Sequence, residues 1–382
     1  MDTTLATPLL GGLSPETFMR RHWQKKPLLV RQALPGVTPP VTRSEMFALA
    51  ERDEVESRLI VKDAARPAGW TLRHGPVPRR ALPPVKRPAW SLLVQGLDLH
   101  VPAARAMLER FRFVPDARLD DLMISYATEG GGVGPHLDNY DVFLIQVHGR
   151  RRWRYGRCAD ESFVEGVPLK LLRHFEPEFD EVLEPGDLLY LPPRWGHDGV
   201  AEGGECMTCS VGFRVASGEE FAADMLTRVA DALRDEEGHL YRDPRQPATA
   251  TPGRIPPMLQ DFALAAVEKR LRGGAALQLA LGEALTEPKA HVWFQPGEPP
   301  WAGQAVRLDA RTRLMYDEQH VFINGESFRA AGRDARLMAQ LADERRLSAK
   351  ALQGLSDGAR ELLAGWAEDG WLHGEPDDDG HD

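Results

Sequence analysis

The chain reads as mixed α+β, and three changes of pattern carry that reading. Between Leu122 and Phe213 short apolar runs alternate with turns marked by Gly and Pro. From Ser217 apolar residues recur at helical intervals, and from about Val292 strand and helix patterns mix. The first region opens with Leu122-Met123-Ile124-Ser125-Tyr126-Ala127, a predicted strand, and then Gly130-Gly131-Gly132-Val133-Gly134, a loop that lets backbones approach closely. Asp141 to Val147 is the next strand, a turn is expected at His148-Gly149, and Arg151 to Tyr155 forms a further strand. Glu184-Pro185-Gly186-Asp187 signals a turn before the apolar run Leu188 to Leu191, and a last strand spans Cys206 to Phe213. Short strands between such turns predict an antiparallel jelly roll, whose mouth is a common ligand site.

His136-Leu137-Asp138, just behind the glycine run and Pro135, is the first candidate for chemistry. On an extended strand, side chains two apart share a face, so His136 and Asp138 can grip one ion while Leu137 packs behind them. A His-x-Asp alone also fits an ordinary polar strand face. The second imidazole, His197, follows Pro192-Pro193-Arg194-Trp195-Gly196 and changes the balance. Two imidazoles and one carboxylate are the protein half of a non-haem Fe(II) site. Such a facial set leaves three coordination positions for a cosubstrate and O₂.

The segment GGGVGPHLDNYDVFLIQVHGRRRWRYG, with EPGDLLYLPPRWGHDG and the closing CSVGFR, resembles the Jumonji-C (JmjC) class of Fe(II)/2-oxoglutarate oxygenases. Within that class it is most similar to the bacterial ribosomal oxygenases, which hydroxylate an arginine side chain of the large-subunit ribosomal protein L-sixteen. The stretches Phe18 to Val30 and Trp90 to Gln95 match the same family. The resemblance implies a double-stranded β-helix (jelly roll or cupin) oxygenase domain over 1–215, a helical dimerisation module over 216–291 and a winged-helix-like domain over 292–382 with an acidic tail.

It also implies His136, Asp138 and His197 as iron ligands and Arg151 as the cation that binds the distal carboxylate of 2-oxoglutarate. A guanidinium suits that task, because its planar fork meets a carboxylate with two parallel hydrogen bonds. Arg150, Arg151, Arg152 and Arg154 also fit a solvated basic strand face. Thr208, Ser210 and Tyr126 are candidates to hydrogen-bond the cosubstrate, each equally readable as a structural hydroxyl. Glu129 and Asp198, near the ligands in sequence, are candidates to hold a substrate guanidinium by charge, although loop carboxylates are often simply solvated. The implied reaction is peptidyl-arginine 3-hydroxylation. O₂ and 2-oxoglutarate are consumed to give succinate and CO₂, and no general acid or base is nominated.

Composition bounds the rest. The chain has 382 residues, 42% hydrophobic and 27% charged, which predicts a soluble globular protein of more than one domain. No apolar stretch approaches the roughly 20 residues of a membrane helix. Met1 to Leu10 lacks the basic region and apolar core of a secretory signal, so a cytoplasmic location with no membrane partner is expected. Cys158, Cys206 and Cys209 give no disulfide framework, and the Cys-x-x-Cys they contain reads as packing on the closing strand. A net charge of -10 argues against broad binding to phosphate backbone and suits a basic ribosomal protein as partner.

Ser217-Gly218-Glu219-Glu220 has capping-box spacing, followed by Phe221, Met225, Leu226, Val229 and Leu233 at helical intervals. Further helices are predicted over about Met258 to Leu271 and through Leu277, Leu279, Leu281 and Leu285, with Asp243 to Pro247 and Thr251-Pro252-Gly253 as loop. The family resemblance makes this region a homodimer interface. Arg313 to Tyr316 and His320 to Ile323 read as a hairpin, Asn324-Gly325 as a turn before Ser327-Phe328-Arg329, and helices follow at Ala335 to Leu341, Leu347 to Leu352 and Ala359 to Trp366. A winged helix raises DNA binding, but Glu361, Glu368 and Asp369 and the end Glu375-Pro376-Asp377-Asp378-Asp379 repel phosphate, so no direct nucleic-acid partner is expected. Three readings remain open: an arginine hydroxylase of a ribosomal protein, a JmjC oxygenase acting on another protein residue (histidyl hydroxylation or lysine demethylation), and a non-catalytic metal-binding regulator.

Overall fold

Residues 2–63, 69–234, 237–272, 274–299 and 303–376 are described by the computed structural model. They belong to two units, Met1–Val215 and Ala216–Asp382. In the first unit the order is α1 (Pro15–Arg21), β1 (Leu28–Val30), α2 (Arg43–Leu49), β2 (Ser57–Lys62), β3 (Trp70–His74), β4 (Trp90–Val94), α3 (Pro102–Glu109), β5 (Leu119–Ala127), β6 (Val142–Arg157), β7 (Phe179–Leu183), β8 (Leu188–Leu191) and β9 (Trp195–Phe213). The strands pair antiparallel in the order β1-β8-β6-β9-β5-β4-β2-β3, with β7 also on β6, and build the expected jelly roll.

The spine of the sheet is the pair β6 and β9, in register from Val142 opposite Gly212 to Arg157 opposite Trp195. This corrects two expectations. No turn interrupts the chain at His148-Gly149; β6 runs through a bulge there, with register shifts between Gln146 and His148 and between His148 and Arg150. Gly149 makes this possible, since its φ is 62° and a Cβ on it would lie 2.2 Å from the carbonyl oxygen of Glu205. The last strand begins not at Cys206 but at Trp195, so His197 rides on the same strand as Thr208 and Ser210.

Alternation along the strands gives the sheet two different faces. Leu122, Ile124 and Tyr126 of β5 join Phe143, Ile145 and Val211 in a core that packs on Phe18 of α1, Met46 and Phe47 of α2 and Leu108 of α3. The intervening residues Met123 and Ser125, with Val142, Leu144 and Ser210 from neighbouring strands, face a cavity instead. The N-terminal helices thus cover one side and leave the other for chemistry. They are locally specified, α2 by a full capping box between Thr42 and Glu45 and α1 by Ser14 ahead of Pro15.

The second unit contains α4 (Gly218–Ala232), α5 (Pro257–Leu271), α6 (Ala275–Thr286), β10 (Ala305–Leu308), β11 (Leu314–Tyr316), β12 (His320–Ile323), β13 (Glu326–Arg329), α7 (Gly332–Glu344), β14 (Arg346–Leu347), α8 (Ala349–Leu352), α9 (Asp357–Glu368) and β15 (Leu372–Glu375). The capping box at Ser217 and Glu220 forms as its spacing predicts. The three-stranded sheet β11-β12-β13 matches the predicted hairpin and its extension, whereas the sheet β14-β10-β15 was not read from the sequence. Val306, Leu308, Ile323, Leu341, Leu363 and Trp366 form this unit's core. Helix α6 packs on α4 and also on β12, where Gly282 admits the Phe322 ring to 2.3 Å from the position of a Cβ. The expected acidic run Asp377-Asp378-Asp379 lies outside the described residues.

Candidate metal centre and cosubstrate site

His136, Asp138 and His197 come together, with one donor atom from each lying within 4.8 Å of the others. The strand expected for His136-Leu137-Asp138 does not form. His136 makes an isolated bridge with His197, each N–H donating to the other's carbonyl at 3.0 Å. Asp138 sits in the following loop, where its carbonyl accepts from the Arg194 N–H at 2.7 Å, and Leu137 lines the cavity rather than packing behind it. The Gly132 backbone runs so close to β9 that a Cβ would lie 2.4 Å from the carbonyl oxygen of Gly199, which explains the glycine run.

The imidazoles are oriented by their own chain. His136 Nδ1 lies 2.9 Å from the Gly134 carbonyl and His197 Nδ1 lies 2.9 Å from the Trp195 carbonyl. A carbonyl oxygen can only accept, so each Nδ1 carries the proton and each Nε2 offers its lone pair. Those Nε2 atoms are 4.0 Å (His136) and 3.5 Å (His197) from Asp138 Oδ2. Burial, and next the neighbouring His136, push the pKa of His197 down to about 4, so it is a neutral ligand at physiological pH. This donor set fits Fe(II), with the outer hydrogen bonds that fix ligating imidazoles already made.

Arg151 lines the same cavity and is 3% exposed. Its Nη1 donates to Ser125 Oγ at 2.8 Å and to Thr208 Oγ1 at 3.2 Å, and the guanidinium stacks over Trp153 at 5.3 Å. Arg151 Nε is buried with no hydrogen-bond partner, and among the described residues no carboxylate pairs with this cation. A buried, unneutralised guanidinium is costly, and an anion in the cavity relieves that cost. The distal carboxylate of 2-oxoglutarate has the matching charge and shape.

The other predicted residues fall differently. Ser210 lines the cavity; Thr208 is buried behind Arg151 and reaches the site only through it. Tyr126 points the other way, into the core beside Phe47 and Trp90, and its hydroxyl donates to Glu205 at 2.7 Å. Alternation is the reason: Ser125, one residue earlier, takes the cavity side. Glu129 accepts from the Gly204 N–H and does not line the cavity. Asp198, one residue beyond His197, faces away from it and pairs with Arg154 directly across on β6 at 2.5 Å.

In place of Glu129 and Asp198, the cavity of about 410 Å³ is lined by Asp120, Asp121 and Tyr140, with Arg58 and Gln95. Asp121 accepts from Gln95 Nε2 at 2.8 Å and from the Gly96 N–H at 3.0 Å, while Gln95 Oε1 accepts from Arg58 at 3.0 Å. Extending the β5 alternation from Ser125 through Met123 would have found Asp121. Its partner Gln95, 26 positions away, leaves no such trace.

Fold and site together define an Fe(II)- and 2-oxoglutarate-dependent oxygenase. Residues 106–221 match the JmjC domain family and residues 274–373 match the ROXA-like winged helix. The ribosomal protein uL16 3-hydroxylase of Escherichia coli (strain K12) is 34% identical over 338 residues, 83% of this chain and 86% of that protein. A probable ribosomal oxygenase of Haemophilus influenzae is 36% identical over 236 residues, 61% of this chain and 55% of its own. The X-ray structure of E. coli ycfD matches with a TM-score of 0.81 at 31% identity, covering 94% of this chain and 98% of that one. The structure of the ribosomal oxygenase YcfD from E. coli in complex with cobalt and 2-oxoglutarate matches with a TM-score of 0.77 at 30% identity, covering 95% and 98%. The chain belongs to the ribosomal oxygenase family of JmjC oxygenases.

Proposed function

We propose that this chain hydroxylates an arginine side chain of ribosomal protein uL16, with Fe(II) held by His136, Asp138 and His197 and 2-oxoglutarate anchored by Arg151. One observation carries the reading: a three-donor cluster and a buried cation with no carboxylate partner among the described residues line a single cavity. Once bound, iron and 2-oxoglutarate supply the oxidation of an unactivated C–H bond. The chain's residues place the reactants. The two imidazoles are oriented by the Gly134 and Trp195 carbonyls, Arg151 meets the cosubstrate, and Trp153 and Leu144 keep that end apolar. Asp120, Asp121 and Tyr140 give the substrate end a polarity that suits a guanidinium.

The test is the mass of recombinant uL16 after incubation with the iron-loaded protein, O₂ and 2-oxoglutarate, with fragmentation to locate any gain. A single-oxygen gain on an arginine, dependent on 2-oxoglutarate, supports the reading. A gain on a histidine or loss of a methyl group from lysine would replace the substrate residue, and no succinate with any basic protein would return the site to a binding role.

The same reading includes a homodimer. Leu226 on α4 and Met258, Phe262, Leu264 and Val267 on α5 are exposed in the single chain, apolar side chains that a second copy would cover. Sedimentation at micromolar concentration tests it, with a monomer as the opposing result. The winged-helix region serves protein contact rather than nucleic acid, since Glu361 and Glu368 lie on α9 and Asp369 caps its end. Among the described residues no helix is long and apolar enough to cross a membrane, and a ribosomal protein as substrate is consistent with work in the cytoplasm.

A further inference from the structure

Arg151 reaches the cavity only because β6 changes phase. Before the bulge, even-numbered Val142 and Leu144 face the cavity; after it, odd-numbered Arg151 and Trp153 do. The change falls between Gln146 and Arg150, where the register against β9 slips twice. A bulge re-aims the side chains that follow it.

A directed chain of hydrogen bonds runs from this bulge to the guanidinium. Gln146 Nε2 donates to the carbonyls of His148 at 2.8 Å and Gly149 at 3.2 Å, which fixes the amide. Its Oε1 then accepts from the Thr208 hydroxyl at 2.9 Å. A hydroxyl has one proton, and with that proton committed to Gln146 the Thr208 oxygen must face Arg151 as an acceptor. Gln146 and Thr208 are both essentially sealed from solvent, so water cannot substitute for either bond.

We propose that Gln146, acting through Thr208, is a positioning residue for Arg151: it translates the bulge into a fixed direction of the guanidinium and so sets the affinity for 2-oxoglutarate. This rests on Arg151 being the oxoglutarate anchor. Neither Gln146 nor Thr208 touches the cosubstrate; both act on the side chain that does.

The test is the Kd of 2-oxoglutarate by calorimetry on Co(II)-loaded protein without O₂, together with Co(II) affinity by its visible spectrum. Thr208→Val and Gln146→Leu are each expected to weaken 2-oxoglutarate by about tenfold, the scale of a lost hydrogen bond to a charged group, with Co(II) affinity unchanged. Thr208→Ser keeps the hydroxyl and restores binding to within about threefold of the parent. In an Arg151→Lys background, with no planar fork to orient, Thr208→Val should cost less than about threefold. If Gln146→Leu does not fold, Thr208→Val carries the test alone. Parental 2-oxoglutarate affinity in Thr208→Val, or a full tenfold loss that persists beside Lys at position 151, would overturn the positioning role. Undiminished affinity in Arg151→Ala, which removes the cation itself, would instead remove the anchor reading.

Discussion

The two ends of the cavity are built by opposite means. At the metal end each imidazole is fixed by a carbonyl two residues before it, and the two ligand segments are joined by a pair of backbone hydrogen bonds. At the anion end Arg151 is held by side-chain hydroxyls 26 and 57 positions away. Local backbone support is indifferent to side chains elsewhere. A network of hydroxyls and an amide is tunable, because every member is a replaceable side chain. On the proposed roles, metal binding is therefore the constant of this site and cosubstrate affinity its adjustable quantity.

The sharpest way to break that comparison is at the metal. Asp138→Ala is expected to abolish metal uptake and turnover while leaving the melting transition nearly intact, since Asp138 is partly exposed and contributes no core packing. Full activity in this variant would dismiss the triad. Next in size, on the proposed anchor role, Arg151→Ala removes the charge-assisted pairing with the cosubstrate and should raise the KM for 2-oxoglutarate by roughly a hundredfold. Metal affinity should not follow. If both fall together, the two ends are not independent and the comparison fails.

A smaller effect separates the ends by pH. His197 has a folded pKa of about 4 against an ordinary value of 6.5. Between those values the unfolded chain takes up a proton that the folded chain refuses, so metal-free stability falls as pH drops through that window. By pH 5.5 the loss is about 1 kcal/mol. Urea unfolding of the metal-free protein at pH 7.5 and 5.5, beside His197→Asn, measures it; identical pH slopes in the two proteins would show that His197 does not stay neutral.

What could be read from the sequence follows the same division. His136, Asp138 and His197 were legible because a short motif and its glycine run carry their local support, even though the strand expected for them is only a bridge. Arg151 was reached through the family resemblance; its companions Ser125 and Gln146 were not, since nothing along the chain links positions that meet only across β5, β6 and β9. Tyr126 was misplaced by a single step of alternation, because a hydroxyl on a strand does not reveal which face is wet. The turn expected at His148-Gly149 failed for a related reason: Gly149 marks a positive φ, which a bulge needs as much as a turn does. Strand β4 has no alternation to read at all, since all five of its residues are buried.

The smallest predicted effect concerns the loop carboxylates. Glu129 and Asp198 lie close to the ligands in sequence, yet the first accepts from the Gly204 N–H on an exposed loop and the second is occupied by Arg154. Neither carboxylate lines the cavity, whereas Asp121 does. Glu129→Gln keeps an acceptor for the Gly204 N–H and should leave kcat/KM for the protein substrate within about twofold, as expected for a surface substitution. Asp121→Asn should raise that KM several-fold more, because the charge it removes faces the cavity. Steady-state kinetics on both variants decides the matter. A larger loss in Glu129→Gln than in Asp121→Asn would mean that the substrate approaches across the Glu129 loop, and the polar end of the cavity would have to be drawn again around it.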